Sequence, residues 1–251
     1  MLTFERQERI LSLLKEKSII KIQEIVEATG ASESTIRRDL TDLETARKLK
    51  RIHGGATLLK KKLEEPTVAE KTVKNNQEKL KIAEKAAQMV DDGDCLFLDA
   101  GTTTIEIIPY LKGKNIVVVT NGLMNISKLL DAEIETHVIG GYVKSGTRAF
   151  VGRGALQTLE TFRFDKAFIG TNGVSIEDGF TTPDSQEAFI KEMAMKYARE
   201  SYILADHTKF GETSFSKFAK LLEATIITSE KVEQDYLNKL RAKTTIEVVQ
   251  V

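Results

Sequence analysis

The sequence predicts an α/β protein in two parts: a small helical head that ends in a β-ribbon, and a larger body built on a mostly parallel sheet. Three observations predict it. Residues 1–57 hold three short amphipathic helical stretches and one alternating basic run, whereas residues 77–251 alternate short β-rich runs with helical ones. The net charge of zero hides an asymmetry: residues 1–62 carry 14 Lys/Arg against 9 Asp/Glu, and the remainder 23 against 28. Between the two parts, residues 58–76 lose all periodicity and dissolve into charge around Pro66, which reads as a linker. The expected organisation is therefore 1–57, a linker over 58–76, and 77–251.

The head is read element by element. In RQERILSLLKEK, Ile10, Leu13 and Leu14 make an apolar stripe at helical spacing, and IQEIVEAT repeats it with Ile22, Ile25 and Val26 before Gly30 stops the helix. Ser32 is a good N-cap for a third helix that sets Ile36, Leu40 and Leu43 on one face. At about 100° per residue, Ser34, Arg37, Arg38 and Thr41 then lie on the opposite face, where no core needs them. In ARKLKRIHGGATLL, Leu49, Arg51 and His53 alternate with Lys50 and Ile52 until Gly54-Gly55 breaks the run: a basic ribbon or wing. This is the layout of a winged helix-turn-helix.

Such a layout points to double-stranded DNA. A recognition helix needs outward side chains that hydrogen-bond; arginine suits guanine edges or phosphate, and small hydroxyls permit close approach. Arg37 or Arg38 is expected to read bases, with Ser32, Ser34, Thr35 and Thr41 in support. Lys48, Lys50 and Arg51 are expected to bind phosphate without reading sequence. The competing reading is plainer, since a helical arginine pair is commonly just a solvated face.

The body begins with the helical QEKLKIAEKAAQMV, followed by strand CLFLD, helix TTIEIIPYL, strand NIVVVT, helix GLMNISKLL and strand IETHVIGG. Later come DKAFIG, SQEAFIKEMAMKYA, SYILAD, ATIITS, VEQDYLNKL and TIEVVQV. Short β-rich runs between helices argue for a parallel sheet with helices on both faces. In open parallel sheets, ligands bind beyond the carboxyl ends of the strands. Four polar clusters fall there: Asp99-Ala-Gly101 with Thr102, Thr103 and Thr104; Thr120-Asn121; Gly170-Thr171-Asn172-Gly173; and Asp206-His207-Thr208-Lys209. Glycine and hydroxyls at a helix start suit a phosphate. No lysine follows as in a Walker loop, so ATP is not expected. Lys191 and Lys209 are candidate partners for a ligand's negative charge, and Asp99 or Asp206 for sugar hydroxyls. Threonines at a helix start also serve as plain caps, and Asn-Gly or Asp-His as plain turns.

Composition narrows the classes further. Hydrophobic residues make up 41% and charged ones 29%, and no stretch approaches the ~18 consecutive apolar residues of a membrane span. The start, MLTFERQERI, lacks the apolar core of a secretory signal, so a cytoplasmic protein is expected. The single cysteine, Cys95, forbids an internal disulfide and reads as a buried strand residue. His53, His137 and His207 lack metal-ligand spacing, so neither a metal nor a cofactor is expected.

The wording of the head goes beyond its spacing. Arg6, Ile10 and Leu14, then Ser32-x-x-Thr35-Ile36-Arg37-Arg38-Asp39-Leu40, with HGGA shortly after, resemble the DeoR family of bacterial transcriptional repressors. One departure is Ala46, near which the family usually has glycine. Residues 77 to about 230 look like the DeoR-type effector domain, whose fold is similar to ribose-5-phosphate isomerase and which senses phosphorylated sugars. By that likeness DAGTTT corresponds to the phosphate loop, GTNG to a loop after a central strand, and ADHTKF to an Asp-x-x-Lys segment. Glu187 falls near the isomerase's catalytic glutamate. The isomerase's lysine-bearing glycine-rich segment is matched only by DGFTTPDS, which has no lysine. The resemblance, closest to repressors of phosphotransferase sugar operons, implies a non-enzymatic homo-oligomer, dimer or tetramer, that releases operator DNA when a small phosphorylated sugar binds. The alternative is a sugar-phosphate isomerase or transferase with a DNA-binding appendage.

Overall fold

The computed structural model describes residues 1–17, 19–46, 48–52, 54–58 and 62–251, and the chain divides into two compact units, Met1–Lys61 and Lys62–Val251. His53, expected in the wing, lies outside the described residues.

In the first unit, α1 (Thr3–Lys17), α2 (Ile22–Thr29) and α3 (Glu33–Thr45) enclose a core of Ile10, Leu14, Ile22, Ile25, Ile36, Leu40 and Leu43. These are the residues that helical spacing aligned, each side chain contributing about 1.5–3 kcal/mol by leaving water. Gly30 ends α2 in the left-handed region (φ 67°), where a side chain would strain the backbone. The expected basic ribbon forms, and the wing sheet has three strands. β1 (Ile19–Lys21) pairs with β3 (Gly55–Thr57), which pairs with β2 (Lys50–Ile52), all antiparallel. Ile20 from β1, Leu49 beside β2 and Ala56 from β3 close the core beneath. Ala46, where the family usually has glycine, adopts φ −75° and ψ 3° as the cap of α3. That conformation costs a Cβ nothing, so glycine is not needed at position 46.

The second unit opens with α4 (Val68–Val73) and α5 (Asn76–Ala87). β4 (Cys95–Leu98) leads into a 3₁₀ helix (Thr104–Leu111), then β5 (Val117–Thr120), α6 (Leu123–Asp131) and β6 (Glu135–Val138). A hairpin of β7 (Tyr142–Lys144) and β8 (Ala149–Val151) precedes α7 (Arg153–Leu159) and β9 (Phe164–Gly170). Next come β10 (Gly173–Ser175), β11 (Gly179–Thr182), α8 (Ser185–Lys196) and β12 (Ala198–Leu204). The chain finishes with β13 (Ser216–Ala219), β14 (Thr225–Ser229), α9 (Gln234–Arg241) and β15 (Ile246–Val249).

Seven strands form one parallel sheet in the order β15-β14-β12-β9-β4-β5-β6. Alternation along each strand divides the interior into two cores. Leu96, Leu98, Val118, Phe168 and Leu204 face α5, α6 and the 3₁₀ helix, while Phe97, Val119, Ala167, Ile169 and Ile203 face the α7–α8 side. From β4 the chain runs outward through β5 and β6, then returns to β9 on the other flank. The strand order therefore reverses between β4 and β9, and it is beyond the strand ends at such a reversal that open parallel sheets bind their ligands. An antiparallel sheet, β10-β11-β13, accompanies the main one.

Two expectations need correcting and one needs refining. Cys95 is partly exposed rather than buried, because it opens β4 at the rim. The helix expected at TTIEIIPYL forms over Thr104–Leu111 and is of the 3₁₀ type, with Pro109 inside it; proline removes a backbone donor from the ladder. The linker expected over 58–76 is folded from residue 62 onward and belongs to the second unit. Val68 N–H donates to Gly146 O (3.1 Å), Phe215 N–H to Lys62 O (3.1 Å), and Lys62 Nζ to Thr213 O (2.7 Å). Its charges find partners distant in sequence, which local periodicity cannot register.

Candidate functional site

On α3, Ser32 Oγ accepts from Thr35 N–H (3.3 Å) and lies 3.0 and 2.9 Å from the Ser34 and Thr35 hydroxyls, so the three form one hydroxyl cluster at the helix start. Arg37 is exposed and meets Glu33 one turn back (Nη2–Oε1 2.5 Å). An exposed pair of this kind is worth little and leaves the guanidinium available to a stronger anion. Arg38 is exposed too, and no described carboxylate pairs with it. Thr41 Oγ1 donates to Arg37 O (2.9 Å) and accepts from Arg51 Nη1 (2.8 Å), which fastens the wing's Arg51 to the helix. Lys48 is exposed and Lys50 half-buried. Asp39 behaves differently from its arginine neighbours: it turns inward, is 2% exposed, and receives a two-pronged hydrogen bond from Arg6 of α1. That fork welds α1 to α3 and keeps Asp39 on the inner side of the helix.

In the body, the residues expected at the strand ends split into scaffolding and free groups. Thr104 Oγ1 donates to Asp99 O (2.7 Å) and is also 3.0 Å from Gly101 O, so it faces the loop, not a ligand. A Cβ on Gly101 would stand 2.9 Å from that hydroxyl, and the turn therefore requires glycine. Thr120, fully buried, donates to Leu98 O (2.6 Å) and accepts from Gly122 N–H and Asn125 Nδ2 (both 2.9 Å). Asn121 Oδ1 accepts from Ala100 N–H (2.7 Å), and Asn172 Oδ1 from Thr182 Oγ1 (3.1 Å). These groups shape the loops. The hydroxyls of Thr102 and Thr103, by contrast, have no partner among the described residues.

Two charged groups meet at the strand reversal. Lys191 of α8 is ion-paired with Asp99 Oδ2, which also accepts from Gly170 N–H (3.0 Å); the lysine is 4% exposed and the aspartate 1%. Asp99 Oδ1 is buried and lacks any hydrogen-bond partner among the described residues. One turn before Lys191, Glu187 Oε1 accepts from Lys144 Nζ (3.0 Å) and Thr147 Oγ1 (2.6 Å). Lys144 also pairs with Glu65 (2.6 Å) and Asp184 (3.1 Å). Burial disfavours the Lys144 charge, but Glu65 and Glu187 outweigh it and raise its proton affinity above the ordinary lysine value.

After β12, Asp206 Oδ1 accepts from Asn75 Nδ2 (3.1 Å) and Thr208 N–H (3.0 Å), and its Oδ2 lies 3.7 Å from Lys209 Nζ. Burial pushes the Asp206 carboxyl up; Lys209, Thr208 and Lys79 more than offset it and hold it below the usual carboxylate range. Glu78, Asp206 and His207 bring possible ligand atoms within 4.8 Å of one another, a grouping the spacing of histidines did not suggest. Those atoms are already engaged. Glu78 accepts from His207 N–H, His207 Nδ1 and Ser229 Oγ, each at 2.7 Å, with His207 as the donor tautomer.

Sequence reasoning passed over Glu65, Lys71, Lys79 and Lys144. Lys79 was findable: with Ile82, Ala83 and Ala86 it occupies the buried stripe of α5, at the spacing of a core residue. Glu65, Lys71 and Lys144 carried no such signal.

Comparison with known proteins places both units. A model described as the DeoR-like helix-turn-helix domain matches residues 6–62, and one described as the DeoR C terminal sensor domain matches residues 74–231. The chain is 51% identical over 250 residues to the HTH-type transcriptional regulator FruR of Bacillus subtilis, covering 99% of each. It is 36% identical to the lactose phosphotransferase system repressor of Streptococcus mutans, covering 96% of this chain and 98% of that protein. Ribose 5-phosphate isomerase A from Methanocaldococcus jannaschii is similar to part of the chain, at 19% identity and a TM-score of 0.42 over 54% of this chain and 55% of that one.

Proposed function

This chain belongs to the DeoR family of transcriptional regulators, and from there we propose that it represses a sugar-utilisation operon and leaves its operator when a phosphorylated sugar binds the body. One observation carries the effector half of this reading: Asp99 Oδ1, a buried charged oxygen without a partner, stands at the strand reversal beside the loop that bears Thr102 and Thr103. A buried acceptor left unsatisfied costs about 1–3 kcal/mol, and more when charged. A sugar hydroxyl supplies the missing donor. Thr102, Thr103, Lys191 and Lys209 are the groups assigned to the ligand's polar and anionic parts, within the frame of Gly101, Thr104, Thr120, Asn121, Asn172, Glu187 and Asp206. The effector we name is fructose 1-phosphate, on the strength of the relative called FruR; the lactose phosphotransferase repressor supports the wider class of phosphotransferase sugars.

On the DNA side, Arg37 or Arg38 reads base edges, and Ser32, Ser34, Thr35 and Thr41 support it. Lys48, Lys50 and Arg51 neutralise phosphates. The active species is a homo-oligomer, dimer or tetramer, because helix-turn-helix proteins read paired half-sites; it works in the cytoplasm. The effector releases DNA only through unequal affinity for two conformations, and about 1–3 kcal/mol of coupling gives ~5- to 150-fold induction. The protein is not an enzyme. Glu187, the residue nearest in role to a catalytic base, is tied down by Lys144 and Thr147, and residues 178–185 contain no lysine to stabilise an enediolate.

The test is a DNA-release titration against a panel of pentose and hexose phosphates. Release by one phosphorylated sugar at far lower concentration than by its unphosphorylated parent is the expected result. Turnover of any of these sugars at ordinary enzyme rates would favour an isomerase or transferase instead.

A further inference from the structure

Lys79 is 3% exposed, yet no carboxylate among the described residues comes within ion-pair distance of its ammonium group. Its Nζ donates to Lys71 O, which satisfies one of three donors and none of the charge. Burial lowers its proton affinity, and Lys209 and Lys71 lower it further; Asp206 and Glu106 act in the opposite sense without restoring it. Lys71 is half-buried and does have a partner: burial lowers its proton affinity, Glu65 (3.2 Å) compensates in part, and Lys209 adds to the lowering. Lys79, Lys71 and Lys209 thus lie close enough to act on one another, and Lys79 is buried with Asp206 and Glu106 only as longer-range counter-charges. Buried charge is normally paired. A buried cation with no described carboxylate in ion-pair contact, flanked by two further lysines, suits a small anion.

We propose that Lys79 and Lys71 are anion ligands of the effector site, and that through Lys71 the phosphorylated sugar grips the segment leading to the DNA-binding head. The proposal rests on the sugar-phosphate reading of that site. Lys71 sits on α4, within residues 62–75, which are continuous with the head in sequence. This segment is a strap fastened to the body by a few polar contacts: Val68 to Gly146, Lys62 to Thr213, Glu65 to Lys144 (2.6 Å) and Asn75 to Asp206 (3.1 Å). Little of the strap is buried; Leu63 and Val73 are exposed, and α4 has no buried residue. Polar contacts of this kind exchange with water readily, so the strap is the part of the body most easily shifted by one added charge. An anion seated between Lys79, Lys209 and Lys71 adds an interaction at its centre and draws Lys71 away from Glu65. The effector then acts on the strap directly, with no relay through the sheet.

The experiment uses the full-length protein titrated with fructose 1-phosphate by calorimetry, with amide hydrogen exchange followed over residues 62–75. Lys79→Met and Lys71→Met should each weaken binding on the order of 10- to 100-fold, the usual consequence of deleting a charge-assisted hydrogen bond. Lys79→Met should melt no lower than wild type, because it removes an uncompensated buried charge. Fructose 1-phosphate should slow exchange across 62–75 in the wild type and not in Lys71→Met, while Lys71→Arg should recover part of both effects. Wild-type affinity in both methionine variants, or strap exchange indifferent to the ligand, would overturn this proposal alone. A wild-type protein that binds none of a panel of sugar phosphates would sink the effector reading and this inference with it.

Discussion

Helices α3 and α5 are nearly equal in length, 13 and 12 residues, yet they treat their charges in opposite ways. α3 holds Arg37 and Arg38 out in water and buries only Asp39, which Arg6 neutralises. α5 turns Glu78 and Lys79 into the protein, 1% and 3% exposed. On the proposed function, the difference follows from the size of the partner. A polyanion the length of duplex DNA can be met only by a surface, where charges cost little to keep and are screened by salt. A small anion can be enclosed, so its charges can be buried, where they are expensive alone and strong when paired. On that reading the head gives up no stability to keep its ligand groups ready, whereas the body does.

The contrast is most exposed to refutation at the head. Replacing Arg37 and Arg38 together with alanine should forfeit the specific mode of operator binding, which exceeds non-specific binding by about 4–10 kcal/mol, with thermal unfolding unchanged. Unaltered operator affinity in a gel-shift titration would show that the outward face of α3 is ordinary surface. Next in size is Lys191→Met, which leaves Asp99 buried without its cation. Urea unfolding should show a loss of about 3–5 kcal/mol, whereas stability within experimental error of wild type would mean that the body does not depend on buried pairing.

Smaller effects refine the picture. Lys50→Ala with Arg51→Ala should weaken binding to all duplex sequences alike, and flatten the salt dependence by about 0.9 in log–log slope for each phosphate no longer neutralised. A deficit confined to one operator would reassign these residues to base reading. The smallest change is expected for Thr103→Val: DNA binding stays intact, and the fructose 1-phosphate concentration for half-release rises ~5-fold, equivalent to a hydrogen bond of about 1 kcal/mol. An unshifted release curve would place the ligand away from the 101–104 loop.

Much of the fold is legible in the residue pattern. Ile10, Leu14, Ile25, Ile36, Leu40 and Leu43 announce a three-helix head because a 3.6-residue period records which side faces inward. The runs around Phe97, Val119, Ile169 and Ile203 announce buried parallel strands in the same way. β1 was missed, since three residues, Ile19–Lys21, run straight into α2 and leave no alternation to detect. β7, β8, β10, β11 and β13 escaped for a related reason: strands of three or four residues owe their existence to a partner strand elsewhere, as β11 does to β13. The residues at the carboxyl ends of the strands were visible as a set, but not their division into scaffold and free groups. Thr104 and Thr102 read alike in sequence, and only the first donates into its own loop.

Residue chemistry and near neighbours were enough to establish the two-part organisation, the outward arginine face and the positions where strands end, because each of these is a local property of the chain. Which charges are paired is a different matter, fixed by the folded arrangement: Arg6 with Asp39, Lys191 with Asp99, Lys144 with Glu65 and Glu187, and Lys79 with none of the described carboxylates. Pairing is set by which strand ends and helix faces come to lie side by side, and Coulomb energy depends on that distance in space rather than on separation along the chain.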